Sequence, residues 1–347
     1  MGNSAALNFA DGKTFFINVN DNELLLDAAF RQGITLPLDC REGVCATCKG
    51  RCDSGEYEQD YVDEDALTED ELNQRNILAC QTRLRSNATF YFDYPSDFCN
   101  ATQLSKIQAK VTEIEWISDE TVNLRLDASQ NIGLLNFLPG QYARIYLPDT
   151  GEYRAYSFAH TPTKDNQLQF LIRYLADGVM GKYLKQQCQI GDTLDLELPF
   201  GSFYLREVKE SIPLYLVAGG TGVSAILAML DELKNQAYSA PIYFYYGVRD
   251  KAHLCEQDRI EAYKASLPGL EYYPVISLPD DEWQGLTGFI HDHLPLSALE
   301  QQENDMYVCG PPVLIDSLKQ HLSKNNINTV QLYSEKFLSA TSPLEAA

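Results

Sequence analysis

The chain has 347 residues, 49 acidic against 27 basic side chains and a net charge of -22, which would repel a phosphate backbone and speaks against a nucleic-acid partner. No stretch approaches 18 apolar residues. The start lacks a basic region followed by an apolar one, and Ala6 stands where a myristoylation signal wants Ser or Thr, so a cytoplasmic monomer that stays out of the membrane is expected. Nine cysteines, an odd number, do not suggest a disulfide framework in a reducing compartment, and the length implies two or three domains.

Short alternating runs at 7–9 and 15–19 flank the turn Asp11-Gly12 and predict two strands; 24–30 predicts a helix. Thr68, with Glu71 three residues later, predicts the capped start of a second helix. The order strand, strand, helix, loop, helix, strand is a β-grasp pattern for residues 1–96. Inside it, Cys40, Cys45 and Cys48 read C-x4-C-x2-C, and Cys80 follows after a gap. This is the plant-type ferredoxin spacing for a [2Fe-2S] cluster, with three ligands on one tight loop and the fourth returning from elsewhere. A four-thiolate zinc site would use the same residues but usually pairs two C-x2-C knuckles. Cys52 adds a C-x2-C-x3-C fragment of the bacterial cluster run, without its following Pro, and reads as a small buried residue.

Acidity is concentrated here: residues 1–100 carry 8 basic and 18 acidic side chains. Glu56, Glu58, Asp60, Asp63, Glu64 and Asp65 form the densest run, either a solvated face or a docking surface for a basic partner.

A polar linker is expected at 97–105. Beyond it six β segments, at 109–115, 121–126, 141–147, 152–158, 168–174 and 192–198, are separated by turn signals and predict an antiparallel barrel over 106–207. Arg154-Ala155-Tyr156-Ser157 lies in one of them, so Arg154 and Tyr156 share a face. A guanidinium there can hold a phosphate bidentately. Gly178-Val179-Met180-Gly181 reads as a glycine turn opening a helix, whose free N–H groups suit a pyrophosphate.

From about Ile212 apolar strands at 214–218, 242–246 and 306–309 alternate with helical sequence such as 223–233, predicting a parallel-sheet domain over 208–338 and a tail at 339–347. Gly219-Gly220-Thr221-Gly222 sits between a buried strand and a helix, where a dinucleotide pyrophosphate binds. Cys309-Gly310-Pro311 ends another strand, and Glu335 and Phe337 fall in the closing stretch. After the second strand, Arg249 and Lys251 could contact a 2′-phosphate, but Asp250 between them would repel one.

The R-x-Y-S run, the G-G-T-G turn, the C-G-P-P element and the Tyr333–Phe337 stretch together resemble the ferredoxin-NADP+ reductase superfamily. With a plant-type ferredoxin in front, the order resembles the reductase component of Rieske-type dioxygenases. The runs Ser54-Gly55-Glu56-Tyr57 and Asp65-Ala66-Leu67-Thr68 resemble benzoate and anthranilate 1,2-dioxygenase reductases in particular. That resemblance implies FAD held by Arg154, Tyr156, Ser157, Gly178, Met180, Gly181 and Phe337. It implies NADH held by Gly219, Gly220, Thr221, Gly222, Cys309, Gly310 and Pro311, a cluster on Cys40, Cys45, Cys48 and Cys80, and roles in hydride transfer for Ser157, Cys309 and Glu335. It differs at Gly181, where the family usually has Ser. The implied function is electron transfer from NADH through FAD and the cluster to a terminal Rieske and non-haem iron oxygenase. The last step, from about -400 mV to about -150 mV or above, is downhill by roughly 6 kcal/mol per electron. A reductase of a diiron phenol or methane monooxygenase has the same domain order and is the alternative. A self-contained oxygenase would need a Cys-x-His pair for its Rieske centre, which the chain lacks, and the chain's five histidines offer no evident facial triad. A metal-bound module without turnover is the remaining class.

Overall fold

The computed structural model describes residues 2–337 apart from 39, 65, 100–104, 132, 134 and 210. Asp65, most of the expected linker and the expected tail 339–347 lie outside the described residues. The chain forms two compact units, 1–105 with Phe200–Ser202, and 106–199 with 203–347.

In the first unit the strands are β1 (Asn3–Phe9), β2 (Thr14–Val19), β3 (Lys49–Ser54), β4 (Tyr57–Gln59), β5 (Asn76–Leu78), β6 (Thr82–Leu84) and β7 (Ala88–Phe92), with helices α1 (Leu25–Arg31) and α2 (Glu69–Asn73). A five-stranded sheet runs β2-β1-β7-β3-β5, and β4 and β6 pair separately. β1 lies parallel to β7 and antiparallel to β2, the mixed sheet of a β-grasp. The period-2 pattern is the cause: Ala5, Leu7 and Phe9 of β1 are buried while their neighbours are not. Phe9 and Phe92 stack at 5.6 Å, and Leu25, Leu26, Ala28 and Ala29 of α1 are buried. Each fully buried Leu or Phe in this core contributes about 1.5–3 kcal/mol. α2 starts where the capping box predicts: Glu71 N donates to Thr68 Oγ1 at 3.3 Å, and Thr68 N to Glu71 Oε2 at 2.9 Å.

The second unit begins with a six-stranded antiparallel sheet, β8 (Ser105–Ser118), β9 (Thr121–Asp127), β10 (Tyr142–Tyr146), β11 (Tyr153–Ser157), β12 (Gln167–Arg173) and β13 (Thr193–Phe200), with α3 (Val179–Gln186) between the last two. Its order is β11-β10-β13-β8-β9-β12. A bridge between Phe158, just past β11, and Phe170 in the middle of β12 joins the two outer strands and closes the barrel.

Then follow β14 (Leu214–Gly219), α4 (Val223–Asn235), β15 (Ile242–Val248), α5 (Gln257–Ser266), β16 (Leu270–Ile276), β17 (Leu286–Thr287), α6 (Leu296–Gln301), β18 (Asn304–Gly310), α7 (Pro312–Lys324) and β19 (Val330–Lys336). The sheet is parallel throughout, in the order β17-β16-β15-β14-β18-β19. Every residue of β14 is buried. Leu214, Leu216 and Ala218 enter one apolar core and Tyr215 and Val217 the other, so the strand reads as a continuous apolar run because both faces are covered. The chain steps outward from β14 to β17 and returns to β18 on the other side, which makes the gap between β14 and β18 the topological switch point where ligands bind. Ala159, Leu171, Phe203 and Leu205 share one of these cores with Leu216, Ile226 and Phe244, so barrel and parallel sheet pack together.

Candidate functional site

The cysteine loop winds through left-handed backbone at Arg41 (φ 64) and Ala46 (φ 59), which turns its peptide N–H groups inward. Glu42 N lies 3.4 Å from Cys40 Sγ, and the N–H groups of Val44 and Cys45 face the same sulfur. Cys80 is delivered by the sheet: Lys49 is in register with Leu78, and Ala79 N donates to Cys48 O at 3.1 Å. Gln81 fastens the loop, with Nε2 donating to Arg41 O at 2.9 Å and Oε1 accepting from Tyr61 N at 3.2 Å.

The four thiols fall into two contacting pairs. Cys45 beside Cys40, followed by the surrounding N–H donors, holds the Cys40 thiol down at about 5. Cys48 and then the Gln81 amide lower Cys80 to about 7, while Cys45 and Cys48 are pushed up by those same partners and by burial. Two thiols per pair, both pairs in reach of backbone donors, fit two irons with two thiolates each. Among the described residues no three or more His, Cys, Asp or Glu side chains gather as one ion would need. Cys52 is buried, and its sulfur accepts from Arg75 Nη2 at 3.1 Å.

The acidic run beside the loop is partly compensated. Asp60 pairs with Arg83 and Glu58 with Arg85, each at 2.6 Å, and Glu71 with Lys49 at 2.8 Å; Glu56 and Glu64 are exposed. The basic partners lie in β3 and β6 and in the turn after β6, which is why the run alone overstated the charge.

On β11 the alternation holds. Tyr153 and Ala155 are exposed, Arg154 and Tyr156 share the half-buried face, and Ser157 is buried. Arg154 is steadied by Glu152 Oε2 at 3.2 Å and donates to Tyr153 O at 2.7 Å. Burial pushes the Tyr156 phenol well above its usual range, with Arg154 pulling the other way, so the ring stays neutral. Tyr156 packs on the core that contains Met180, Tyr183 and Leu184 of α3. α3 begins at Gly178 with no side-chain cap, leaving its first N–H groups for a ligand. A Cβ at Gly181 would come within 2.8 Å of Tyr174 Cδ2. The tyrosine ring occupies the space a serine would need, and the backbone donor is kept. The uncapped helix start and the Arg154–Tyr156 face fit a flavin with its pyrophosphate.

At the switch point the turn Gly220–Gly222 leads straight into α4, and Ser224 Oγ donates to Thr221 O at 2.5 Å. A Cβ at Gly222 would lie 2.2 Å from Cys309 O, so only glycine lets the turn meet the end of β18. Cys309 is in register with Glu335 on β19, Phe337 N donates to Gly310 O at 2.8 Å, and Pro311 precedes the first residue of α7. The residues expected at the nicotinamide therefore converge, from three separated stretches, outside the carboxyl ends of the strands. Cys309 is wholly enclosed, and burial, then Glu335, keeps its thiol protonated. Sequence reasoning passed over Gln81, Tyr174 and the residues that join the two halves of this unit; only the position of Gln81, directly after the fourth cysteine, hinted at its role.

These features define an iron–sulfur flavoprotein reductase that carries electrons from NADH through FAD to a [2Fe-2S] cluster. The 2Fe-2S iron-sulfur cluster binding domain matches residues 8–85, the oxidoreductase FAD-binding domain 108–204 and the oxidoreductase NAD-binding domain 216–320. The chain is 56% identical over 338 residues to the anthranilate 1,2-dioxygenase electron transfer component of Acinetobacter baylyi, covering 97% of this chain and 98% of that one. It is 38% identical to the toluate 1,2-dioxygenase electron transfer component of Pseudomonas putida, covering 97% and 99%. The chain belongs to this family of dioxygenase electron transfer components. A crystal structure of an Amycolatopsis cytochrome P450 reductase, GcoB, superposes with a TM-score of 0.71 at 27% identity, over 97% of this chain and 99% of that one. No helix of the described residues is long and apolar enough to cross a membrane.

Proposed function

We propose that this protein is the cytoplasmic, monomeric reductase of a Rieske-type oxygenase that dihydroxylates an aromatic acid of the anthranilate or benzoate type. In it residues 1–96, 106–207 and 208–338 form the ferredoxin, flavin and nucleotide modules. When bound, NADH supplies a hydride, FAD accepts the electron pair and the cluster passes electrons on singly.

The chain's own residues do the rest. Cys40, Cys45, Cys48 and Cys80 are the thiolate ligands, and the N–H groups around Cys40 offset the charge of the ligated state. Arg154 and the opening of α3 at Gly178, Met180 and Gly181 hold the FAD pyrophosphate. Tyr156 lies along the flavin ring, Ser157 offers it a hydroxyl, and Phe337 shields it. Gly219, Gly220, Thr221 and Gly222 receive the NADH pyrophosphate at the start of α4. Cys309, Gly310 and Pro311 wall the nicotinamide. Cys309 acts as a neutral surface, not as an acid, since its thiol is enclosed and protonated. Glu335, on the neighbouring strand, supplies negative charge beside the transferring hydride.

The observation that carries this reading is the gathering of four thiols into two pairs within a nest of peptide donors, on the same chain as a flavin strand and a dinucleotide crevice. The test is reconstitution. The purified protein with an anthranilate-type or a benzoate-type oxygenase should support NADH-dependent product formation with one of them. Failure with both, while NADH still reduces a dye, would reject the proposed partner and leave the reductase intact.

A further inference from the structure

We propose that Arg259 is a positioning residue that bolts the dinucleotide helix to the flavin strand and thereby sets the geometry of hydride transfer. Arg259 lies on α5, a hundred residues from the strand it holds. In the parallel-sheet half its Nε donates to Tyr263 Oη at 2.8 Å and its Nη2 to Asp231 Oδ2 at 2.7 Å. Tyr263 Oη in turn donates to Asp231 Oδ1 at 2.5 Å, so the guanidinium is held in one orientation within that half. Its remaining reach goes to the barrel, with Nη2 donating to Ala159 O at 2.7 Å and Nη1 to Gln169 Oε1 at 3.3 Å.

Both ends of the bolt matter. Ala159 stands two residues past Ser157 on the continuation of β11, where its N donates to Gln169 O at 2.9 Å. Asp231 is on α4, the helix that opens at the Gly220–Gly222 turn. One planar fork therefore spans the strand that presents Arg154, Tyr156 and Ser157 and the helix that presents the nucleotide turn. The contact is largely dry: the side chains of Arg259 and Asp231 are 21% and 24% exposed, and Ala159, Leu171 and Phe203 share a core with Ile226, Leu227 and Tyr263 around it. A point charge on a flexible stem cannot make these contacts together, whereas a guanidinium can. A shift of about 1 Å between donor and acceptor is enough to cost about a hundredfold in rate, so a fixed joint here has kinetic consequences even though Arg259 touches neither cofactor site.

The inference rests on the assignment of β11 to flavin and of Gly219–Gly222 to NADH. Its test uses Arg259→Ala and Arg259→Lys in the full chain. In the variants, flavin content and the NADH KM should stay within about threefold of wild type, while kcat for NADH-driven ferricyanide reduction falls at least about tenfold for Ala and less for Lys. The second readout needs no turnover: amide hydrogen exchange should accelerate together at Ala159, the start of β12 around Gln169 and α5, leaving β14 and β18 protected. Where Arg259→Ala fails to fold, Arg259→Lys carries the test. An unchanged kcat, or exchange confined to α5, would overturn the proposal. Retained flavin in Arg154→Ala would instead overturn the flavin assignment, which the Arg259 exchange data do not touch.

Discussion

In the cluster loop three thiols come from one short segment and the fourth is returned by a register between β3 and β5; in the nucleotide crevice the contacts come from 219–222, 309–311 and 335–337, brought together by parallel strands. In the proposed site the loop offers side chains as ligands, so cysteine identity and spacing are constrained and visible. The proposed crevice offers backbone N–H groups and close approach, so what is constrained is mostly the absence of a side chain, as where Gly222 meets Cys309 O. A site made of side chains should fail by losing its cofactor, and one made of backbone should fail by losing shape.

The largest effect should come from the loop. Cys45→Ser is expected to abolish the iron–sulfur absorption and all electron delivery to an oxygenase, while NADH-dependent ferricyanide reduction stays within about twofold, since that activity needs only the second unit; parallel loss of both would show that the two units depend on each other. Gly222→Ala should be the matching failure in the crevice. Its added methyl has to displace the end of β18, which overpacking data place at about 1–3 kcal/mol. The NADH KM should rise at least about tenfold with the cluster spectrum unaltered, and steady-state kinetics beside a thermal melt would show it.

Arg154→Ala lies between these cases, because it removes one side-chain contact from a site that combines side chains with the uncapped start of α3. A charge-assisted hydrogen bond is worth about 1.5–3 kcal/mol, so FAD affinity should weaken about 10- to 150-fold, read as flavin released on dialysis. Cys52→Ser should do least. Its sulfur is bonded to Arg75 and stands outside the two thiol pairs, and iron content per chain should match wild type.

Legibility from sequence followed the same divide. All six barrel strands fall on the β runs between turn signals; β8, β11 and β13 alternate because one face is packed and the other wet, β9 and β12 are buried on both faces, and β14 announced itself by being apolar throughout. β3 (KGRCDS) and β19 (VQLYSEK) gave no such signal; they carry polar residues on a partly exposed face or edge. β16 was hidden by Glu271 and Pro274 within its span. Arg259 looked like any helical arginine, since nothing local marks a side chain whose partners, Ala159 and Gln169, belong to another part of the chain. The compensation of Asp60 and Glu58 by Arg83 and Arg85 was invisible for the same reason, as cross-strand pairing depends on register.

The central claim, that one chain moves electrons from NADH through FAD to a two-iron cluster, is tested most directly by titrating the purified protein with NADH in the absence of oxygen while following its visible spectrum. The prediction is that flavin and iron–sulfur bands both bleach, with uptake approaching about three electrons per chain, two on the flavin and one on the cluster. In Cys45→Ser the uptake should stop at about two. Bleaching of the flavin alone in the wild type, with the iron–sulfur bands left at full height, would contradict the account.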